Sequence, residues 1–452
     1  MPTTRFSFPL LFVTLAIVLA LAVITLPWKT VVEEKLKAAL EEQGFHNVQL
    51  KVESLGFKTI KLQDISVGAP QPLVLKNVTL NYSVPQLWKG HFGEVIISGL
   101  DVVAHQEGKQ WVVKGLEGLS QAPSTGAGFA LPNPQSIPFR RAQLENSTLR
   151  LEGPWHLELP LNITWQKRPS PEVSYQGANL NFKSGAMAVT AGQASAHMAL
   201  QADKKLWKGE WQVKNVAVKG AATPLPVLNG GGELQLEGSN LLVSGNLASA
   251  DKTYAVNFRV NYAGDAPEKS ELVLQSAVFP WNNGRLSVAG VNVPLGAKRE
   301  VLFPIKVEHV SVDALMQTLT GKQATGTGAV SGSLPVIIKP DGSMLIQKGS
   351  LQAEAPGKIT LSPEAIPGDN EQVALVRDIL KDINYKLLSI ETEGGQGPEA
   401  TVIMKLEGYN PAVYNGRPVK LNVRLTGDVL NLVQQSIMPL LDPRVLLKQD
   451  KK

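Results

Sequence analysis

The strongest constraint on this chain is a period of two in its apolar residues, held for most of its length. In "PLVLKNVTLNYSVPQLWKGHFGEVIISGLDVVAH", residues 72–105, Val78, Leu80 and Tyr82 alternate with Thr79, Asn81 and Ser83. Val95 and Ile97, then Val102 and Ala104, repeat the pattern. Side chains of an extended strand point to opposite faces in turn, so such alternation marks a strand with one greasy face and one wet face. The same signal precedes this stretch, with Val48 and Leu50 in "NVQLKVES" and Ile60 and Leu62 in "KTIKLQDISV". It resumes at "AQLENSTLRLEG" and persists to "GRLSVAGVNVPLG", punctuated by turn residues about every 8 to 14 positions. That spacing predicts a meandering antiparallel sheet.

Helices are few. "KTVVEEKLKAALEEQ", residues 29–43, places Val32, Leu36, Ala39 and Leu40 on one face and ends at Gly44, as a short helix closing one end of the sheet. "SVDALMQTLTG" aligns Val312, Leu315, Met316 and Leu319 behind an N-capping Ser311, with Gly321 past its end. "NEQVALVRDILKDINY" aligns Val373, Val376, Leu380 and Ile383, and a weaker helix runs through Leu430, Val433 and Ile437. So few helices cannot cover the apolar faces of roughly two dozen strands, since each buried face needs a second layer. The sheet must fold on itself as a sandwich, barrel or trough, or something else must fill it.

Composition narrows the chemistry. The 452 residues contain no cysteine, which excludes disulfides, zinc–thiolate sites and thiol catalysis. The net charge of +5 is spread among acidic neighbours, without the basic patch that nucleic acid requires. Histidines 46, 91, 105, 156, 197 and 309 stand singly, without metal-ligand spacing. No G-x-S-x-G elbow occurs, and "GTGAVSG", 326–332, lacks the strand that a dinucleotide loop follows, so it reads as a turn or flexible loop. Nothing in the residues carries an enzyme, a metal or a cofactor.

Phe8 to Leu26 runs 19 residues without a charge, behind Arg5 and ahead of Trp28 and Lys29. At ~1.5 Å per residue it nearly matches a ~30 Å hydrocarbon core, which predicts a single retained membrane span. A cleaved leader, with Ala20 and Ala22 as its small-residue site, is the alternative. The short head then lies in the cytoplasm and the bulk is exported. The expected organisation is a stub and anchor over 1–28, a helix and first groove segment over 29–115, and a Gly/Pro/Ser-rich linker over 116–139. A central β region over 140–304 and a C-terminal β region with short helices over 305–452 follow.

"LEGYNPAVYNGRPVKLNVRL", 406–425, reads as a hairpin with a long loop. Asn410 and Pro411 open a turn, Asn415 and Gly416 supply positive φ, and Arg417 and Pro418 lead into a strand with Leu421, Val423 and Leu425 on one face.

This hairpin, "LVRDILKDINYKLLSIE" and "TGTGAVSGSLPVIIKPDGSMLIQKGSLQAEAPGKITL" together resemble the YdbH-like proteins of the AsmA-like superfamily over roughly residues 305–435. The anchor followed by "LVLKNVTLNYSVPQLWKGHFGEVIISGLDV" is similar to the opening of such proteins, with weaker motifs. The resemblance implies an inner-membrane anchor and a long curved antiparallel sheet whose open apolar groove conducts phospholipid across the periplasm towards the outer membrane. It implies relatives of the TamB and YhdP type, and a small outer-membrane lipoprotein of the YnbE type as partner at the C-terminal end. Under it, Val48, Leu50, Ile60, Leu62, Val78, Leu80, Tyr82, Val95, Ile97 and Val102 line the groove near the membrane. The segment Asn410, Pro411, Asn415, Gly416, Arg417, Pro418, Leu421, Val423 and Leu425 offers an edge for strand addition. With ~25 strands at ~4.8 Å, the groove is on the order of 100 Å long. An anchored β-sandwich that binds other proteins, as a scaffold or outer-membrane assembly factor, is the alternative.

Overall fold

The computed structural model describes residues 29–426, except 88–91, 117–133, 220–224, 296–298, 363–370, 397–400 and scattered single or paired loop positions. The span expected over Phe8–Leu26, most of the 116–139 linker and the helix expected through Leu430, Val433 and Ile437 lie outside the described residues. Among the described residues no helix is long and apolar enough to cross a membrane.

Strand makes up 68% of the described residues, in one long open sheet of 25 strands. The first four strands, β1 (Gln49–Leu55), β2 (Thr59–Val67), β3 (Leu73–Asn81) and β4 (Phe92–Glu107), pair antiparallel in chain order. A short β5 (Gln110–Val113) pairs back on β4. The next strand, β6 (Phe139–Glu152), then joins the other side of β4 in parallel. The expected purely antiparallel meander is therefore corrected: the sheet is mixed at this junction. A parallel neighbour needs a long crossover, and residues 114–138 supply it.

From β6 the meander resumes through β7 (His156–Gln166), β8 (Glu172–Ser184), β9 (Met187–Gln201), β10 (Leu206–Lys219) and β11 (Leu228–Glu237). It continues through β12 (Asn240–Ser249), β13 (Ala255–Ala263), β14 (Glu271–Trp281) and β15 (Gly284–Pro294) to β16 (Val301–Ser311). The line then passes to β18 (Ala329–Ile338), β20 (Gly349–Ala353), β22 (Ile383–Thr392), β24 (Thr401–Tyr409) and β25 (Val419–Thr426). Twenty strands thus stand side by side, about 90 Å at ~4.8 Å per strand.

The helices are α1 (Lys29–Glu42), α2 (Val84–Leu87), α3 (Val312–Thr320) and α4 (Glu371–Leu380). The Ser311 hydroxyl accepts from Ala314 N at 3.3 Å, capping α3 as the sequence predicts. Helix α4 stops at Leu380, and Ile383 opens β22 instead of completing the helical face. The "GTGAVSG" stretch is mostly not a loop: Gly326 ends β17 (Ala324–Gly326), and Ala329 to Gly332 begin β18.

Register explains how one face stays apolar. Val52, Leu62, Val78, Ile97, Leu144, Ile163 and Tyr175 are successive cross-strand partners from β1 to β8. The row continues through Ala196, Trp211, Gly232, Gly245, Phe258 and Leu274 to Val291 on β15. A second row, from Leu80 and Val95 through Ala142, Trp165, Val173, Met198, Gly209 and Leu234, is equally free of polar side chains.

Several long strands hold this face through a break in alternation. Ala142 and Leu144 occupy even positions of β6, whereas Leu149 and Leu151 occupy odd ones. Between them Asn146 takes φ 47°, and Asn179 in β8 (φ 59°) and Asn215 in β10 (φ 56°) do the same. An extra residue in a strand shifts all later side chains by one, so each bulge returns the next apolar run to the same face. The freed Asn146 and Asn215 N–H groups donate to the Oδ1 atoms of Asn162 and Asn229, both at 2.9 Å.

Candidate functional site: a bare apolar face between two packed ends

The apolar face is covered at its two ends and bare between them. At the first end, α1 lies along β1, and Val32 and Leu36 pack in one cluster with Leu50, Ile60, Leu62, Leu80 and Val95. At the other end, α3 and α4 help enclose a core in which Phe303, Val307, Val330, Val336 and Ile383 are fully buried. Between them, among the described elements, the principal contacts of β6–β13 are with their hydrogen-bonded neighbours and the one-turn helix Pro267–Lys269 after β13, while Phe139 and Val256 at the two margins touch the end clusters. Trp165, Ala191, Trp207, Val216 and Leu236 are the described apolar residues of this stretch that are buried. Other residues of the two rows, such as Leu144, Ile163, Tyr175, Leu234 and Phe258, are half-buried.

A single sheet layer with an uncovered apolar face is an unfinished core, because a strand's greasy side must meet a second layer. Eight strands at ~4.8 Å give this bare stretch a length of about 34 Å. Aromatic groups punctuate it. Phe139 and Trp165 meet edge to face at 5.5 Å, and Trp211 and Phe258 lie 5.9 Å apart. The Trp211 indole donates Nε1–H to Ser244 O at 3.1 Å. A Cβ on Gly245 would come within 2.6 Å of Trp211 Cζ2, so glycine at this position lets the ring lie across the neighbouring strands. With its only polar atom satisfied, Trp211 presents carbon to the face.

The opposite face is wet. Asn162, Gln176, Ser195 and Gln212 form one cross-strand row, and an open hollow of about 420 Å³ along it is lined by these four with Gln193, Lys214, Gly177, Ala178 and Ala194. Amide and hydroxyl walls of this kind suit water, not hydrocarbon. Among the described residues no cluster of His, Asp and Glu could hold a metal ion. Charged groups pair along the wet face instead. Lys114 meets Glu152 at 3.0 Å and holds its carboxyl below the usual range, chiefly through that hydrogen bond. Arg150 bonds Asp101. The Glu354 carboxylate is likewise held low, first by the Ser331 hydroxyl and then by His309, whose Nδ1 lies 2.8 Å away.

The structure brings most of the expected groove residues together, but under cover. Val48, Leu50, Ile60, Leu62, Val78, Leu80, Tyr82 and Val95 are all buried in the cluster that contains α1 residues. Ile97 and Val102 are half-buried, at the margin where that cover ends. The expected C-terminal segment divides in two. Asn410 is buried, donates Nδ2–H to Asp378 O and Ile379 O at 3.0 and 3.2 Å, and accepts from Ala412 N at 2.9 Å. It therefore closes the end of α4. Asn415 and Gly416 take positive φ, and Pro411, Arg417 and Pro418 are exposed beside them. Leu421 and Val423 are half-buried on β25, whose one strand neighbour among the described residues is β24. Nothing is described of the Leu425 side chain.

Sequence reasoning missed the middle residues Leu144, Ile163, Tyr175, Trp211, Leu234 and Phe258, because it weighted the amino-terminal strands. The signal was present: apolar alternation on both sides of an asparagine, as in "QLENSTLRL", marks a bulge that keeps one face apolar.

Residues 253–436 match the family model YdbH-like, described as intermembrane phospholipid transport protein YdbH. The matched region begins within the loop before β13 and takes in the packed C-terminal end. No curated protein and no solved structure matches the chain.

Proposed function

We propose, from the premise that residues 253–436 belong to the YdbH-like family of intermembrane phospholipid transport, that the bare apolar face of β6–β13 carries phospholipid tails. The protein then acts as an inner-membrane-anchored periplasmic conduit towards the outer membrane. The observation that supports this most is the pair of apolar rows running across β6–β13, most of whose side chains stay only half-buried.

Exposing hydrocarbon costs about 0.8 kcal/mol per CH₂, so two tails held in water cost on the order of 20 kcal/mol. A face of Leu, Ile, Val and aromatic side chains removes most of that cost without a shaped pocket. The headgroup stays in water at the rim and needs no buried counter-charge. At about 34 Å the bare stretch is roughly twice the ~15 Å that one leaflet's tails occupy. Val48, Leu50, Ile60, Leu62, Val78, Leu80, Tyr82 and Val95 form the closed foot of this groove, and Ile97 and Val102 its margin. The β25 edge, positioned by the Asn410–Pro418 loop, receives the strand of a small lipoprotein partner.

Three aspartate variants of the full chain separate a lipid surface from a protein core. Ile163→Asp and Leu234→Asp are expected to keep the wild-type circular dichroism and to lose co-purified phospholipid, read by mass spectrometry. Ile305→Asp, in the packed end, is expected to unfold. A photo-crosslinker at Leu234 that captures protein and no lipid in cells would replace the conduit by the anchored scaffold.

A further inference from the structure

Phe57 is the most exposed large apolar side chain described, 87% accessible, and it stands at the tip of the β1–β2 turn. Single exposed apolar residues are ordinary on protein surfaces. The turn that carries this one is closed by hydrogen bonds. Gly56 N donates to Thr59 O at 2.9 Å, closing the turn. Tyr82 then fixes it from the neighbouring strand: its N–H donates to Lys58 O at 2.9 Å and its buried hydroxyl donates to Gly56 O at 2.5 Å. Its flanking residues Gly56 and Lys58 are exposed as well.

The place of this turn gives the exposure a meaning. Pro27 and Trp28 separate the uncharged run that ends at Leu26 from Lys29, the first described residue of α1. Lys29 Nζ donates to Glu53 O at 2.6 Å, and Glu33 Oε1 accepts from Val52 N at 2.7 Å. The start of α1 is thereby pinned to the last residues of β1. Phe57 lies four residues beyond Glu53, at most about 13 Å of extended chain. A span over 8–26 therefore sets its membrane surface within reach of this turn. An aromatic ring followed by lysine is the pairing that settles at a headgroup boundary, the ring among the upper acyl carbons and the ammonium among phosphates.

We propose that the Gly56–Lys58 turn is a second membrane contact, inserting Phe57 into the headgroup–acyl boundary of the bilayer that holds the N-terminal span. It seats the closed foot of the sheet on the bilayer surface, so that a lipid leaving the leaflet meets the margin at Ile97 and Val102 without crossing open water. This rests on the anchored-conduit reading and adds a surface which that reading does not require.

The absence of cysteine makes the test direct. The full chain carrying Phe57→Cys, labelled with an environment-sensitive fluorophore, is reconstituted into phosphatidylethanolamine–phosphatidylglycerol vesicles. Gln212→Cys on the wet face serves as control. Label at position 57 is expected to emit blue-shifted light, to be quenched by nitroxide-labelled lipid and to resist aqueous iodide; label at 212 is expected to behave oppositely. Unlabelled Phe57→Ser is expected to fold as the wild type and to reduce lipid crosslinking at Leu234 about tenfold, the equivalent of losing one buried aromatic contact. Water-like emission and iodide quenching at position 57 overturn the proposal. Lipid crosslinking at Leu234 that persists in that case leaves the conduit standing, and its absence in the wild type removes the conduit separately.

Discussion

Asn215 shows how much one residue can decide. Asparagine tolerates the left-handed conformation that a bulge demands, and its placement between Val213 and Val216 keeps both valines on the apolar face. Asn215→Val is expected to destabilise the protein by about 1–2 kcal/mol in urea unfolding, while Asn215→Gly stays close to wild type. Glu308 carries a different kind of dependence. The Lys306 ammonium first, then the Arg285 guanidinium at 2.6 Å, hold its carboxyl below the ordinary range. A lowered folded pKa contributes stability above the unfolded value near ~4.3 and loses it as pH falls through the folded value. The melting temperatures of wild type and Glu308→Gln should therefore differ at pH 6 and converge towards pH 3. At this scale the sequence was informative where side chains simply alternate, as at Val78, Leu80 and Tyr82. It was opaque at Gly328 and Gly357. There a Cβ would come within 2.6 and 2.4 Å of the Tyr385 hydroxyl, which donates to Thr327 O, a partnership between residues far apart in the chain.

Among the elements, α1 does more than cover a face. A first strand normally exposes a row of unpaired N–H and C=O groups that invite another strand. Glu33 occupies the Val52 N–H and Lys29 the Glu53 carbonyl, so the helix blocks pairing at the β1 edge. Glu33→Ala is expected to form concentration-dependent oligomers by light scattering with faster Val52 amide exchange, whereas Glu33→Gln, which keeps an oxygen acceptor, remains as the wild type. A helix over residues 29–43 was legible from Val32, Leu36 and Ala39 at helical steps. Its role at the edge was not, because polar residues on a helix face read as solvated. Helix α4 was legible too, though its end was not: Ile383 continues the helical spacing, yet its burial in the packed end draws it into β22. The parallel pairing of β4 with β6 left no local trace, since alternation specifies a face and not a neighbour.

For the molecule as a whole, sheet and helix content followed from periodicity, whereas the division into covered ends and bare middle did not. Val95 and Leu234 look alike in sequence; what separates them is whether a helix elsewhere in the chain comes to lie over them. The parallel joint between β4 and β6 has a consequence for how such a sheet comes into being. From β6 to β16 every paired strand is also the next in the chain, so each hairpin can zip onto the last as the polypeptide emerges amino end first. Before β16, only β4 and β6 must find each other across residues 108–138, a closure that carries more chain entropy than any neighbouring turn. From β1 to β16 the sheet is thus two ribbons that can grow independently, stitched at one seam, and that seam is where the order of their assembly is decided.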